Sequence, residues 1–254
     1  MQVNELYRVI RATPPAAYGL AGTLGFLSIL AWFLVAGANM PMAGMLDPVA
    51  LLLFTIIWGV GMVAMMFPSL LPMVYTVAVS AKKSLQEDPV SPKFRRLAIS
   101  ARSALFVAGY VATWTLVGVI FYLAIATMNT AGLPSGFGSF GIWAALILVV
   151  TGLYQFTRFK QRALMKCRSP MSFIFTRWRN GKMGAGLMGA DYGFFCTKCC
   201  WVLMAGLLTV GAMSLPLMGV FAIIIFAEKV GPYGALISKI VGAGFVAVGL
   251  FLVA

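Results

Sequence analysis

Long apolar runs alternate along the chain with short polar segments, and this alternation predicts an all-α, polytopic bundle of membrane-spanning helices. A helix needs roughly 20 residues to cross a hydrocarbon layer of about 30 Å. We therefore expect one integral membrane domain over residues 1–254, with about seven spans. The predicted spans lie near residues 16–37, 48–80, 104–128, 142–157, 187–210, 213–228 and 235–254.

The second apolar run, residues 48–80, is longer than one straight span and contains Pro68 and Pro72. Each proline removes a backbone donor and tends to kink a helix. The run is therefore either one bent span or two short ones. The basic segment that follows, residues 81–102, favours one bent span, because that segment then lies on the same side as the basic N-terminal residues.

The basic residues predict the orientation of the bundle. They are concentrated in residues 81–102 and 158–182, whereas the glycine-rich segment 132–141 carries no charge. By the positive-inside rule, the N-terminus and both basic segments are cytoplasmic, and the C-terminus lies outside. We expect a multi-pass protein of the inner (cytoplasmic) membrane. The first run also resembles a signal peptide with a cleavage-like site at residues 36–38, but its apolar part is too long for one.

Composition excludes a soluble globular domain. Hydrophobic residues make up 61% of the chain and charged residues only 10%, while the net charge is +13. In a soluble chain this charge would indicate nucleic-acid binding, but here the basic residues stand between apolar runs. The expected partners are therefore the lipid bilayer and other integral membrane subunits, with no nucleic acid. Histidine is absent, which removes the commonest ligand of zinc and Cu(II).

The chemistry of the chain is concentrated in one stretch, GADYGFFCTKCCWVLM, which holds three of the four cysteines. In a helix, Cys196, Cys199 and Cys200 stand at positions i, i+3 and i+4, so their thiols share one face. Thiolates are soft ligands that suit Cu(I) and Zn(II). The sequence therefore predicts a copper or zinc site. The alternative is that these cysteines are small buried hydrophobic residues.

Methionines on the second span are candidates for further soft ligands. The segment MVAMM places Met62, Met65 and Met66 on one helical face. If Met65 and Met66 meet the cysteines across a helix interface, they complete a soft-metal pocket. Close packing beside the proline kink is the alternative that we favour for these methionines.

Charged residues near the cysteines suggest two further roles. Lys198 would favour the thiolate form of its neighbours. Asp191 stands seven residues from Lys198, on a similar helical face, and the two would be linked through water or by Glu228. Because intramembrane charges are costly and normally paired, Asp191 is a candidate for proton or cation passage. Cys167 lies in the basic segment and is expected to stay apart from the other thiols.

Five segments in a fixed order carry a resemblance to known proteins. They read WGVGMVAMMFPSLLPM from Trp58, GLYQFTRFKQRALMKCRSP from Gly152, FTRWRNGKMGAGLMG from Phe175, CTKCCWVLM from Cys196 and FAEKVGPYG from Phe226.

Together these segments resemble an uncharacterised bacterial family labelled predicted metal-binding integral membrane protein. The resemblance covers residues 50–250 and implies a bound metal, with Cys196, Cys199 and Cys200 as its thiols. It implies no established reaction. The chain departs from the family pattern at Tyr192, where the family commonly has histidine, and at Lys198, where it usually has glycine. A phenol in place of an imidazole puts a conventional Cys/His site in doubt.

Three functions remain open. The first is binding or handling of a soft metal, with copper preferred, through an intramembrane cluster of cysteines. The second is a noncatalytic accessory subunit of a larger membrane complex such as a metal-dependent oxidoreductase. The absence of the family's histidine favours this function relative to the first. The third is a membrane thiol oxidoreductase that uses the CxxC spacing. We place metal binding first, and we do not expect the chain to be an enzyme on its own.

Overall fold

A computed structural model describes residues 15–37, 47–85, 91–130, 142–211 and 214–252. Within these ranges the secondary structure is entirely helical, which confirms the predicted all-α class. The described helices, in chain order, are α1 (Pro15–Ala36), α2 (Pro48–Ser84), α3 (Pro92–Thr130), α4 (Ile142–Gln155), α5 (Arg158–Arg168), α6 (Pro170–Arg177), α7 (Gly181–Gly211), α8 (Leu215–Val230) and α9 (Gly234–Phe251).

Helix α2 is one continuous helix of 37 residues, as the charge argument predicted. Asp47 precedes its first residue, and the Asp47 carboxylate accepts a hydrogen bond of 3.0 Å from the Val49 amide and so caps the helix. Because Pro68 has no N–H group, the Ala64 carbonyl loses its partner within the helix. The Ser28 hydroxyl of α1 donates a hydrogen bond of 2.9 Å to that carbonyl. A neighbouring helix thus satisfies the backbone group that the proline leaves open.

Four of the described helices are long and apolar enough to cross a membrane. A fifth helix is apolar but shorter, at Ala145–Gln155. The structure does not support the predicted count of seven, because α4 and α8 have only 14 and 16 residues and α7 contains Lys182, Asp191 and Lys198. The four candidate spans are Tyr18–Ala36, Pro48–Ser84, Pro92–Met128 and Gly234–Phe251.

Helix α7 packs against α3, α4, α5 and α8, and α2 packs against α1, α3, α6 and α8. The contact between α3 and α7 is especially close, since a Cβ atom on Gly109 or Gly189 would overlap the backbone of the other helix. Small residues allow such an approach between helices in a membrane. This packing buries the middle of α7 and therefore sets the position of its cysteines.

Candidate metal centre

The three cysteines of α7 lie in the protein core. Cys196, Cys199 and Cys200 have at most 1% of their surface exposed, and all are free thiols. Their i, i+3 and i+4 spacing in a continuous helix turns them inward together, as predicted. The structure therefore places the thiols where water is excluded and where neighbouring helices supply their contacts.

The fourth cysteine joins them, which corrects the expectation that it stays apart. Cys167 of α5 is buried, and its thiol interacts with those of Cys196 and Cys199. The interaction with Cys196 raises the pKa of the Cys167 thiol well above its ordinary value, and burial adds to this effect. Helix α5 brings Cys167 to this position by packing on α7. Cys167, Cys196, Cys199 and Cys200 are called the cysteine cluster below.

A lysine from α8 provides the cation at this cluster. Lys229 is buried, and its Nζ atom donates hydrogen bonds to Cys196 Sγ at 2.8 Å and to Met66 Sδ at 3.5 Å. The Tyr110 hydroxyl lies 3.1 Å from the same Cys196 sulfur. An ammonium so close to a thiol favours the thiolate form. Cys196 is therefore the most strongly polarised thiol of the cysteine cluster.

Sequence reasoning gave the role of this cation to Lys198, but the structure places Lys198 elsewhere. Its ammonium lies over aromatic rings and is 4.1 Å from the centre of the Phe194 ring. Its backbone carbonyl accepts a hydrogen bond of 2.6 Å from the Tyr154 hydroxyl. The sequence signal for Lys229 was its position beside Glu228 in an otherwise apolar run. Adjacency of two charges along the chain does not reveal which partner each one takes.

The two predicted acidic residues have separate partners, so the expected link between Asp191 and Lys198 through Glu228 is not formed. Asp191 lies near Arg177 and Arg179, with nitrogen-to-oxygen distances of 3.6 and 3.5 Å, and is partly exposed. Glu228 instead forms a fully buried ion pair of 2.7 Å with Lys160 of α5. Asp191 therefore belongs to a partly exposed charge group, whereas Glu228 belongs to the interior.

Tyr192, which stands where the resembling family commonly has histidine, holds the segment that carries Cys167. Its buried hydroxyl donates a hydrogen bond of 3.1 Å to the Cys167 carbonyl. Its ring packs edge-on against Phe173, with the ring centres 5.3 Å apart. The phenol thus fixes the relative position of α5 and α7, and its oxygen is engaged with the backbone.

Of the two predicted methionine ligands, Met66 reaches the cysteine cluster through its contact with Lys229. Met65 is equally buried and packs in the same core. In the part of the chain that the structure describes, no group of three or more Cys, Asp or Glu side chains is arranged to hold a metal ion. The structure thus does not show the predicted three-cysteine metal site, although it gathers soft donors around Cys196.

Comparison with known proteins identifies the family. No curated protein and no solved structure matches the chain. The model of one family, PpoB2, described as copper chaperone, matches residues 55–252. This match covers α2 from its second turn to the last residues of α9, and so includes every residue of the cysteine cluster. It agrees with the resemblance to metal-related membrane proteins. The chain belongs to the PpoB2 copper chaperone family.

Proposed function

We propose that this protein carries Cu(I) as cargo and holds it through the cysteine cluster inside its helix bundle. The observation that supports this most directly is the meeting of four free, buried cysteines from α5 and α7, one of which contacts a lysine. The family description supplies copper as the metal. The chain supplies a pocket that is buried, rich in sulfur and free of histidine.

The donors present fit Cu(I) better than Zn(II). Thiolates suit both metals, but structural zinc takes four ligands in a tetrahedron, whereas Cu(I) needs fewer. Two thiolates are enough for a Cu(I) ion, so the lack of a three-residue site among the described residues does not oppose this proposal. Cys196 is the first ligand in this proposal, a second thiol of the cysteine cluster is the other, and Met66 is a weak additional donor.

The surrounding residues keep the pocket ready for the ion. Tyr110 and Lys229 contact the Cys196 sulfur, and Tyr192 holds the backbone of Cys167. Because these groups come from α3, α5, α7 and α8, the pocket forms only when the four helices pack together. Release of copper to a partner then needs no covalent chemistry in this chain, since ligand exchange between thiols is sufficient.

Replacing Cys196 with serine tests this function. We expect purified wild-type protein to bind Cu(I) in competition with a chelator and Cys196→Ser to bind it at least about 100-fold more weakly, since even residues that only support a ligand cost 10–100-fold. A hydroxyl is a hard donor that suits Cu(I) poorly. Copper per chain and chelator competition are the measurements.

Val202→Thr is the matched control, because it also places a hydroxyl at a buried position of α7 but changes no sulfur. It should keep copper binding. Wild-type protein without copper affinity would count against the proposal. In that case, stoichiometric copurification with other membrane proteins would favour the accessory-subunit hypothesis, and a measurable dithiol potential would favour the thiol oxidoreductase.

We further propose that the two basic segments, residues 81–102 and 158–182, face the cytoplasm and that the segment 132–141 lies opposite. This orientation follows from the positive-inside rule. Because all four native cysteines are buried, cysteines introduced at Ser91 and Ser135 should dominate labelling by a membrane-impermeant thiol reagent. We expect Ser135→Cys to react in intact cells and Ser91→Cys only after the membrane is opened. Equal labelling of both in intact cells would rule out this orientation.

A further inference from the structure

The interior around the cysteine cluster contains two lysines and one carboxylate. Lys160 and Lys229 are both buried, and Glu228 pairs with Lys160 at 2.7 Å. Although Glu228 precedes Lys229 in the chain, the Lys229 ammonium donates hydrogen bonds to two sulfur atoms, those of Cys196 and Met66. The carboxylate therefore forms its ion pair with Lys160, whereas the Lys229 ammonium is in direct contact with the Cys196 sulfur.

Several thiols and a hydroxyl lie near the Lys229 ammonium. Its electrostatic neighbours are the thiols of Cys196, Cys200 and Cys167, the hydroxyl of Tyr110 and the carboxylate of Glu228, whose own charge is offset by Lys160. The ammonium thus lies next to the donors that the proposed copper site would use. A lysine in that position places a fixed positive charge beside any metal ion that binds there.

We propose that Lys229 makes this pocket selective for a monovalent metal ion, so that it takes Cu(I) and rejects Zn(II). This inference rests on the proposed function. Two thiolates contribute two negative charges, and Lys229 contributes one positive charge. One negative charge remains, which a monovalent ion neutralises and a divalent ion exceeds.

The selectivity follows from the cost of net charge in a buried site. An uncompensated charge in a low-dielectric interior is strongly unfavourable, whereas a balanced set avoids most of this penalty. A third thiolate would balance a divalent ion. However, no three side chains of this kind are arranged to hold a metal ion in the described ranges. Charge therefore acts together with the soft donors, which alone would accept either metal.

The test compares Cu(I) and Zn(II) affinities of the purified full-length protein, each measured with a competing chelator. In Lys229→Gln the fixed charge is gone. We expect Cu(I) affinity to fall by about 10–100-fold, the usual effect of altering a group that contacts a metal ligand. Zn(II) affinity should fall less or rise, so that the ratio of Cu(I) to Zn(II) affinity drops at least about tenfold.

Two further variants keep this test decisive. Lys229→Arg retains the charge and should keep the wild-type ratio. Lys229→Leu removes the charge and replaces Lys229→Gln if the latter does not fold. Equal changes in both affinities, or an unchanged ratio in the neutral variants, would overturn the role of Lys229 and leave copper binding intact. If wild-type protein binds neither metal, the proposed function fails and this inference fails with it.

Discussion

Glu228→Gln is expected to lower the free energy of unfolding by about 3–5 kcal/mol, the usual cost of removing one partner from a buried ion pair. Glu228 and Lys160 have no exposed side-chain surface, and the distance between their charged atoms is 2.7 Å. The neutral amide would leave the Lys160 ammonium in the interior without a counter-charge. The measurement is the denaturation midpoint of purified protein in detergent.

Two comparisons separate this effect from a general sensitivity to mutation. Adding Lys160→Met to Glu228→Gln removes both charges and should recover most of the lost stability. Asp191→Asn also removes a carboxylate from an ion pair, but Asp191 and its arginine partners are partly exposed. That variant should cost at most about 1 kcal/mol. A loss from Asp191→Asn as large as that from Glu228→Gln would refute this interpretation of the pair.

Gly189→Ala is the other change with a large expected effect, because it forces α3 and α7 apart. A Cβ atom at Gly189 would overlap the carbonyl of Phe106, and a backbone carbonyl cannot move aside as a side chain can. We expect a loss near the upper end of the 1–3 kcal/mol typical of overpacking, about 3 kcal/mol. Separation of the two helices should also pull Tyr110 away from Cys196 and weaken copper binding.

Gly186→Ala is the matched control, since Gly186 lies on the same helix within one turn of Gly189. A Cβ atom there would lie 3.8 Å from the Leu105 carbonyl, an ordinary contact. Because alanine favours helix over glycine by about 0.5–1 kcal/mol, this variant should be neutral or slightly more stable. The measurement for both variants is the midpoint of thermal unfolding, detected by the reaction of the buried thiols as they become exposed. Similar midpoints for the two would show that the close approach does not limit stability.

Much of the helical architecture follows from the sequence, because the length of an apolar run is a local property. The run that contains Pro68 and Pro72 forms one helix, as the charges beside it indicated. The basic segment after α4, which the sequence predicts to be cytoplasmic, forms the short helices α5 and α6. The buried residues of α5, among them Lys160, Leu164 and Cys167, are spaced as one face of a helix. The sequence shows this face only weakly, because one of its members is a lysine and basic residues surround it.

The sequence by itself determined that three thiols share one side of α7, since helical periodicity alone places positions i, i+3 and i+4 together. Only the tertiary structure decided which groups meet those thiols. Lys229 lies 33 residues from Cys196 in the chain, and Tyr110 lies 86 residues away. Helix packing determines such partners, and the packing of α3 on α7 depends on Gly109 and Gly189, which let the two helices approach closely. Burial then favours a polar partner for each charged group, so Glu228 pairs with Lys160 and Lys229 contacts the Cys196 sulfur.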